Sequence, residues 1–503
     1  MSDSTYSFRL TPLQINLISL LIAGSMMILL LIIALGYRDN RIGLFVVGGM
    51  GAVGLAVSIF NRPWLGVYIL AVSIMTNMSD VLGEIGGVSI NKPLVALTFV
   101  SVMASHLMNN RFFTLKRVEW FLVAYLAALL AATFVATDQD ISMVHVLDFV
   151  KELMIIFIVV YAIESLDAWK RTMWLVVLSV TILAALQSYQ VITGDFNQTF
   201  WGFARYKPDM GTMRLTGPIH DPNFWGQTLV AILPVAIYRL LGTQASSSAT
   251  QKVVLIAAIS VALLIFVIMN TLSRGAFLGM MLVFLLIAIE REVTVKNMMV
   301  YTASLMLIPL LLWSNLTPTL LQERLQTFSI FTDSEATLYE DRSFQGRTSE
   351  MRSALLMLAD SPLFGIGAGN YEAAYQEYAA RLGLEFRSEE RAAHSLYLEI
   401  AAETGAFGLI AFLGALIWVH LGLFQVRRRA KSLHKYSEMA TWSVSLQIGI
   451  AAYMTTSIFL HGAYLRFLWL LIGLAASLIR ISQQWPENTS TDLSKEKLIL
   501  DAR

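Results

Sequence analysis

Residues 251–290 read QKVVLIAAISVALLIFVIMN, then TLSR, then GAFLGMMLVFLLIAIE. Two apolar runs, 251–270 and 274–290, are joined by almost no loop. Each is close to the roughly 20 residues that cross a bilayer as an α-helix. The one charged residue of the turn, Arg274, therefore sits at a membrane boundary, with apolar sequence on either side of it.

The same pattern repeats outward along the chain. Of 503 residues 56% are hydrophobic and only 14% charged, with a mean hydropathy of +0.63, whereas soluble domains carry about 25% charged residues. Most of the chain meets lipid or other helices. A net charge of +1 offers no global attraction to nucleic acid or an acidic partner, so any electrostatic function is local. There are no cysteines, which removes disulfides, thiolate nucleophiles and thiolate-held metals. The N-terminus lacks a basic region and a small-residue cleavage site, and the run from Leu13 to Leu35 is long for a signal peptide, so it reads as a retained span.

Fourteen runs qualify as candidate spans: 13–36, 42–60, 64–78, 90–109, 117–136, 143–164, 168–191, 222–242, 251–270, 274–290, 297–314, 396–424, 441–460 and 463–481. The Asn61–Arg62–Pro63 break can join the second and third as two half-spans, so the total is 12 to 14. Orientation follows from Lys and Arg in short loops. Arg427, Arg428, Arg429, Lys431 and Lys435 mark one cytoplasmic loop; Arg111, Lys116 and Arg117, then Lys170 with Arg171, then Arg291 with Lys296, mark three more. Parity puts residues 192–221 and 315–394 outside and both termini inside. The loop from Tyr37 to Arg41 carries two arginines and violates this count. The chain divides into N-terminal spans (1–191), core spans with the outer segment 192–221 (192–314), a helical cap (315–394), C-terminal spans (395–484) and a polar cytoplasmic tail (485–503).

The outer segments are too long for plain connectors. Thr348 to Asp360 places apolar residues on one helical side, and Ser361–Pro362 ends that helix. A glycine-rich turn at Gly365, Gly367 and Gly369 follows, and Asn370 is placed to cap a second helix over 371–382. The glycines lack the strand and βαβ setting of a dinucleotide site and read as a turn. In the other segment Asp221 caps and Pro222 opens the eighth span, leaving Arg214, His220 and Asn223 near the outer surface beside a helix N-terminus.

Four side chains stand against the apolar pattern. Arg274 either snorkels to headgroup phosphates or presents a fixed guanidinium, whose planar fork suits phosphate. Arg214 and Arg347 flank structured turns on the same outer side; alone each reads as a surface arginine, together the three suit a pyrophosphate. His394 closes the cap and opens the twelfth span, either as a backbone-bonded residue or as a base near neutral pH. Glu399 and Glu403, an i, i+4 pair, either orient His394, bind acceptor hydroxyls or pair with cap arginines, the last being favoured. His461 and Arg466 lie at the outer end of the last spans, where they can complete the site. Asp148, Lys151 and Glu152 read as local partners, and Arg239 and Arg480 as cytoplasmic-end snorkellers. No metal-binding spacing is present.

Several of these stretches resemble one known superfamily. From Gly346 to Gly408 the chain reads G-R, a helix, S-P-L-F-G-I-G-A-G-N-Y, then H-S-L-Y-L-E-I-A-A-E-T-G-A-F-G. This looks like the signature of the O-antigen ligase and O-antigen polymerase superfamily, an arginine-started helix followed by P-L-F/W-G-x-G and H-N-x-Y-L-x-x-x-x-E-x-G. Upstream, Arg214-Leu-Thr-Gly-Pro-Ile-His-Asp-Pro-Asn and Ser273-Arg274-Gly275-Ala276 are similar to two further family motifs. The resemblance spans roughly residues 200 to 480 and departs at Ser395, where the family usually has asparagine. It implies an all-α polytopic membrane protein, a C-type glycosyltransferase-like fold with a periplasmic cap, in the bacterial inner membrane. It further implies metal-independent, cofactor-free transfer of a glycan from an undecaprenyl-pyrophosphate carrier to an acceptor such as lipid A-core or a second carrier-linked glycan. By motif, Arg214 and Arg274 bind the pyrophosphate, Arg347 holds donor or cap, and His394 activates the acceptor hydroxyl; His220, Asn223, Glu399 and Glu403 are substrate-contact candidates. Two readings from other classes stay open: a lipid-linked oligosaccharide flippase, which should show repeats and polar helices at mid-membrane, and a non-catalytic envelope assembly protein, indifferent to loss of His394 and the arginines.

Overall fold

The computed structural model describes residues 40–87, 89–209, 212–242, 246–293, 342–383, 391–462 and 466–486. The candidate spans 13–36 and 297–314, the start of the outer cap and the tail from 487 lie outside the described residues, as does most of the Tyr37 to Arg41 loop.

The described chain is mostly helical: α1 Asn40–Asn61, α2 Pro63–Met75, α3 Met78–Gly86, α4 Asn91–Met108, α5 Arg117–Phe134, α6 Gln139–Ala162, α7 Leu166–Thr193, α8 Pro222–Gly242, α9 Ser248–Asn270, α10 Arg274–Glu290, α11 Arg342–Asp360, α12 Tyr371–Arg381, α13 Leu396–Ser432, α14 Glu438–Thr456 and α15 Arg466–Ser482. Every candidate span inside the described residues coincides with a helix. Helices are forced here because lipid satisfies no backbone N–H or C=O. Five of them, α5, α7, α8, α9 and α13, are long and apolar enough to cross a membrane alone, which makes this a polytopic membrane protein. The end of α1 and α2 meet at a 119° bend, a broken span or a re-entrant loop as the Arg62–Pro63 break foretold.

One element departs from the all-α expectation. Two short strands pair antiparallel, β1 Arg205–Asp209 with β2 Thr212–Gly217. Strand β2 buries Leu215 and Thr216 against the helices, and the two strands satisfy each other's backbone where the chain leaves the bundle.

Helix α8 is the buried axis, packed by α9, α10 and α14; α13 lies along α5 and α14, and α15 on α6. The charged loops segregate to one end of these helices. Arg111 meets Glu164, Arg480 reaches Thr114, Lys170 and Arg239 share Glu438, and Arg427 meets Glu290. These are the loops read as cytoplasmic. Arg239 corrects its snorkelling assignment: its side chain is only 4% exposed, bonded to Glu438 at 3.0 Å and stacked 3.9 Å over the Trp442 ring. A carboxylate and an aromatic face make burial of this cation tolerable.

At the opposite end, α11 and α12 form the cap, with Ala354, Met357, Tyr371 and Tyr375 in a small core of its own. The cap is fastened by the glycine-rich turn. Helix α13 is interrupted at Gly405 (φ 66°, ψ −163°). The turn fills the break: Ile366 N–H bonds Ala402 O at 2.9 Å, Gly367 N–H bonds Glu403 O at 3.1 Å, and Ala406 N–H bonds Pro362 O at 2.8 Å. Gly365 has φ +69°, and a methyl there would lie 2.3 Å from the Glu403 carbonyl carbon. The turn reading therefore holds, and the turn is packed against backbone. Asn370 stands at the α12 N-cap position without capping; its amide bonds Asp138 O at 3.0 Å and Ser142 Oγ at 2.8 Å, because α6 comes close enough to compete.

Gly383, in contrast, has φ +68°, and a methyl there would meet nothing within 4 Å. A left-handed conformation costs a non-glycine residue roughly 1–2 kcal/mol. Gly383→Ala should lose about that much, whereas Gly365→Ala adds a backbone clash and should unfold at a clearly lower temperature. Equal melting temperatures for the two purified variants would contradict the packed-turn assignment.

Candidate active site

The end that carries the cap gathers two half-sites. The first is built on the start of α8. Asp221 Oδ1 accepts from the N–H groups of Asn223 (2.7 Å) and Phe224 (3.1 Å), capping the helix that Pro222 opens. From β2, Arg214 is held by three acceptors: Nε donates to Thr271 O at 3.0 Å, Nη1 to Asp209 Oδ2 at 3.1 Å and Nη2 to Asn223 Oδ1 at 3.2 Å. Thr271 opens the α9–α10 turn, and Ser273 Oγ caps α10 by accepting from Ala276 N–H at 3.3 Å. Arg274 is the first residue of α10 and exposed. Gly226 lets this turn press on α8, since a methyl there would sit 2.6 Å from Ala276 Cβ. So Arg214 is fixed at the base of the turn whose rim is Arg274.

The second half-site is built on the start of α13. Leu396 N–H bonds Ser457 O (3.0 Å) and Leu460 O (2.8 Å), Tyr397 Oη donates to Met454 O at 2.8 Å, and Glu399 accepts from Gly462 N–H at 2.9 Å. These bonds lock α13 to the end of α14. His394, just before, has φ +46°, a conformation a bulky residue holds only when its surroundings enforce it. Its Nδ1 lies 3.0 Å from the Ala392 carbonyl oxygen and 3.0 Å from a carboxylate oxygen of Glu350. Both neighbours are acceptors, so Nδ1 carries the proton and Nε2 keeps its lone pair. Glu350, on α11, is only 1% exposed, and Arg391 Nη1 lies 3.7 Å from its other oxygen. The bond to Glu350 holds His394 above the ordinary histidine range, against the opposing effects of burial and of the Arg347 charge.

His461 joins the halves. Its ring centroid is 5.3 Å from that of His394 and 5.2 Å from that of Phe224, the residue after Asn223. Burial, then the neighbouring His394 charge, push His461 down to about 4, so it is neutral at physiological pH. A continuous run results: Arg214, Asn223, Phe224, His461, His394, Glu350.

Of the residues singled out from sequence, Arg214, Asn223, Arg274, Arg347 and His394 fall at this end, and His461 lies beside His394. Arg466 does not; it lies 3.6 Å from Asp80 and 3.8 Å from Glu152. Lys151 pairs with Asp148 at 2.6 Å as expected. His220 (φ 68°, side chain 59% exposed) faces Glu84 at 3.0 Å and Arg205 at 3.2 Å. Glu403 is buried and accepts from Tyr371 N–H at 3.4 Å, so it braces the cap turn. Glu350 was not anticipated. Its signal was present, a carboxylate three residues after Arg347 and so on the same helix side.

Residues 259–413 match the protein-family model described as O-Antigen ligase. The match runs from within α9 into α13 and takes in Arg274, Arg347, Glu350 and His394, while Arg214, His220 and Asn223 precede it. This is the superfamily that the motifs resemble. No curated protein matches the chain.

Histidine-selective NMR on the detergent-solubilised chain should find His394 as the Nδ1–H tautomer, titrating above the ordinary value of about 6.5. Glu350→Gln removes the carboxylate and should move that titration down. A titration indifferent to the substitution would dissolve the pair.

Proposed function

We propose that the chain transfers a glycan from an undecaprenyl-pyrophosphate carrier to an acceptor hydroxyl, as an O-antigen ligase or an O-antigen or exopolysaccharide polymerase, on the periplasmic side of the bacterial inner membrane. The observation that carries this is His394 anchored through Nδ1 on a buried carboxylate, at the end of the helices where Arg214 and the Arg274 turn also lie. The O-Antigen ligase match over residues 259–413 supports the reaction class.

The chemistry assigns each group a task. The acceptor hydroxyl gives its proton to His394 Nε2 as its oxygen bonds the anomeric carbon of the donor sugar. The bond from that carbon to the pyrophosphate oxygen breaks, and the lipid pyrophosphate leaves with the electron pair. Charge grows on the leaving group, and guanidinium groups fixed before the reaction stabilise it without reorganising. Arg214 is pre-oriented by three acceptors and Arg274 stands at the rim. Arg347, one turn from Glu350, adds positive potential beside His394. The lipid tail stays between helices and the sugars stay in water beside the cap helices α11 and α12. His220, Asn223, Glu399 and Glu403 then act on positioning: Asn223 through Arg214, Glu399 through the α13–α14 lock, Glu403 through the cap turn, His220 through Glu84.

Reconstitution with a lipid-pyrophosphate glycan and candidate acceptors tests the proposal. His394→Ala should lose about 10²–10⁴-fold in transfer, the usual contribution of a general base. Arg274→Ala should lose about 10²-fold or more, and Arg274→Lys should stay poor because an ammonium cannot supply the bidentate fork. Wild-type transfer by either alanine variant would remove that residue from the reaction; donor translocation without transfer by the wild type would favour the flippase reading.

The pH profile supplies an independent check. A base works only when deprotonated, so transfer should rise with pH through the His394 titration. That limb should lie above the ordinary histidine range, since Glu350 favours the protonated form. Glu350→Gln should shift the limb to lower pH while lowering the plateau. A limb that stays put while the plateau falls would point to a structural role for Glu350.

A further inference from the structure

At the end of the bundle opposite the candidate active site the same four helices enclose a second site. Helices α8, α10 and α13 run from Asn223, Arg274 and Leu396 to Tyr238, Glu290 and Arg427, and α14 returns from Thr441. Here a cleft of about 280 Å³ is lined by Tyr238, Glu290, Arg291, Arg427, Lys431 and Thr441, among others. Three cations face one carboxylate. Glu290 is already engaged, accepting from Tyr238 Oη at 2.5 Å and paired with Arg427. That leaves Arg291, 5.2 Å over the Tyr238 ring, and Lys431 with no ion pair among the described residues. The cleft therefore holds an excess of positive charge on a pre-organised frame, which suits a phosphate-type anion.

Two helices of the cleft also expose apolar side chains on its mid-membrane side. Leu285 and Ile289 on α10 and Leu421 and Phe424 on α13 are exposed, and Arg427 and Lys431 continue the α13 stripe at three- and four-residue steps. Exposed apolar side chains beside a cationic cleft suit acyl chains, which a free anion lacks. We propose that this cleft binds the phosphodiester headgroup of an anionic phospholipid, with its chains along α10 and α13. The occupant tethers the far ends of the four helices whose near ends carry Arg214, Arg274 and His394, so its binding stiffens the scaffold of the active end.

The full-length chain, purified in neutral detergent, is titrated with phosphatidylglycerol, with phosphatidylcholine of the same chains, and with inorganic phosphate, read by native mass spectrometry and thermal unfolding. Phosphatidylglycerol should bind saturably and raise the melting temperature; the other two should not. Lys431→Glu and Arg291→Glu should each weaken phosphatidylglycerol at least tenfold. Both side chains are exposed, so folding is not at stake. Lys252→Glu, an equal charge change at the same end on exposed α9, should bind as wild type. Three results would overturn the site: equal retention of both lipids, weakening by Lys252→Glu as large as by Lys431→Glu, or inorganic phosphate binding as tightly as the lipid.

Discussion

A helix in lipid cannot break without finding partners for the backbone groups it releases. Helix α13 breaks at Gly405, and the partners come from the 362–367 turn of the cap. The turn can approach only because both backbones are bare at the contact, Gly365 against Glu403–Thr404 and Gly405 against Leu363–Phe364. This exchange fixes where α11 and α12 sit, and α11 carries Arg347 and Glu350. The position of Glu350 against His394, and so the tautomer and basicity of that histidine, depends on a few main-chain hydrogen bonds some dozen residues away in sequence. Asn370 and Ser142 extend the same anchorage to α6.

Both ends of the bundle hold arginines on oriented acceptors. At the loop-rich end, cations are paired, stacked or left exposed in the cleft, as Arg427 on Glu290, Arg239 on Glu438 and Trp442, and Lys431 illustrate. At the capped end, Arg214 is paired with Asp209 and bonded to two neutral oxygens, and these three contacts set its orientation. For a polyanionic substrate, a guanidinium oriented in advance needs no reorganisation at the moment of reaction.

The helices and the outer position of the charged motifs were legible because a lipid-crossing run announces itself by length and composition alone, and because short motifs keep Arg274 and His394 within recognisable local sequence. What stayed hidden depends on contacts distant along the chain. Arg239 looked like a snorkeller because its partner Glu438 is 199 positions away. The break at Gly405 was not read from the sequence, since its φ is decided by a turn that precedes the span. The paired strands β1 and β2 are too short and too polar to show strand alternation. Glu350 sat in an amphipathic helix as an ordinary charged residue, and only the fold buries it.

That burial is itself an argument about catalysis. A carboxylate at 1% exposure carries a desolvation cost of several kcal/mol unless a cation lies close. Arg391, at 3.7 Å, compensates only in part. The remaining compensation becomes available when His394 gains a proton, because an imidazolium 3.0 Å from the carboxylate satisfies it directly. In the proposed transfer His394 gains that proton as the acceptor oxygen attacks. The interaction is thus stronger when the proton is in flight than in the resting site, the condition under which a contact speeds a reaction and does not merely tighten binding. Glutamine at position 350 keeps the length of the side chain and removes its charge, so it loses this difference, and the charge of Glu350 is what its burial serves.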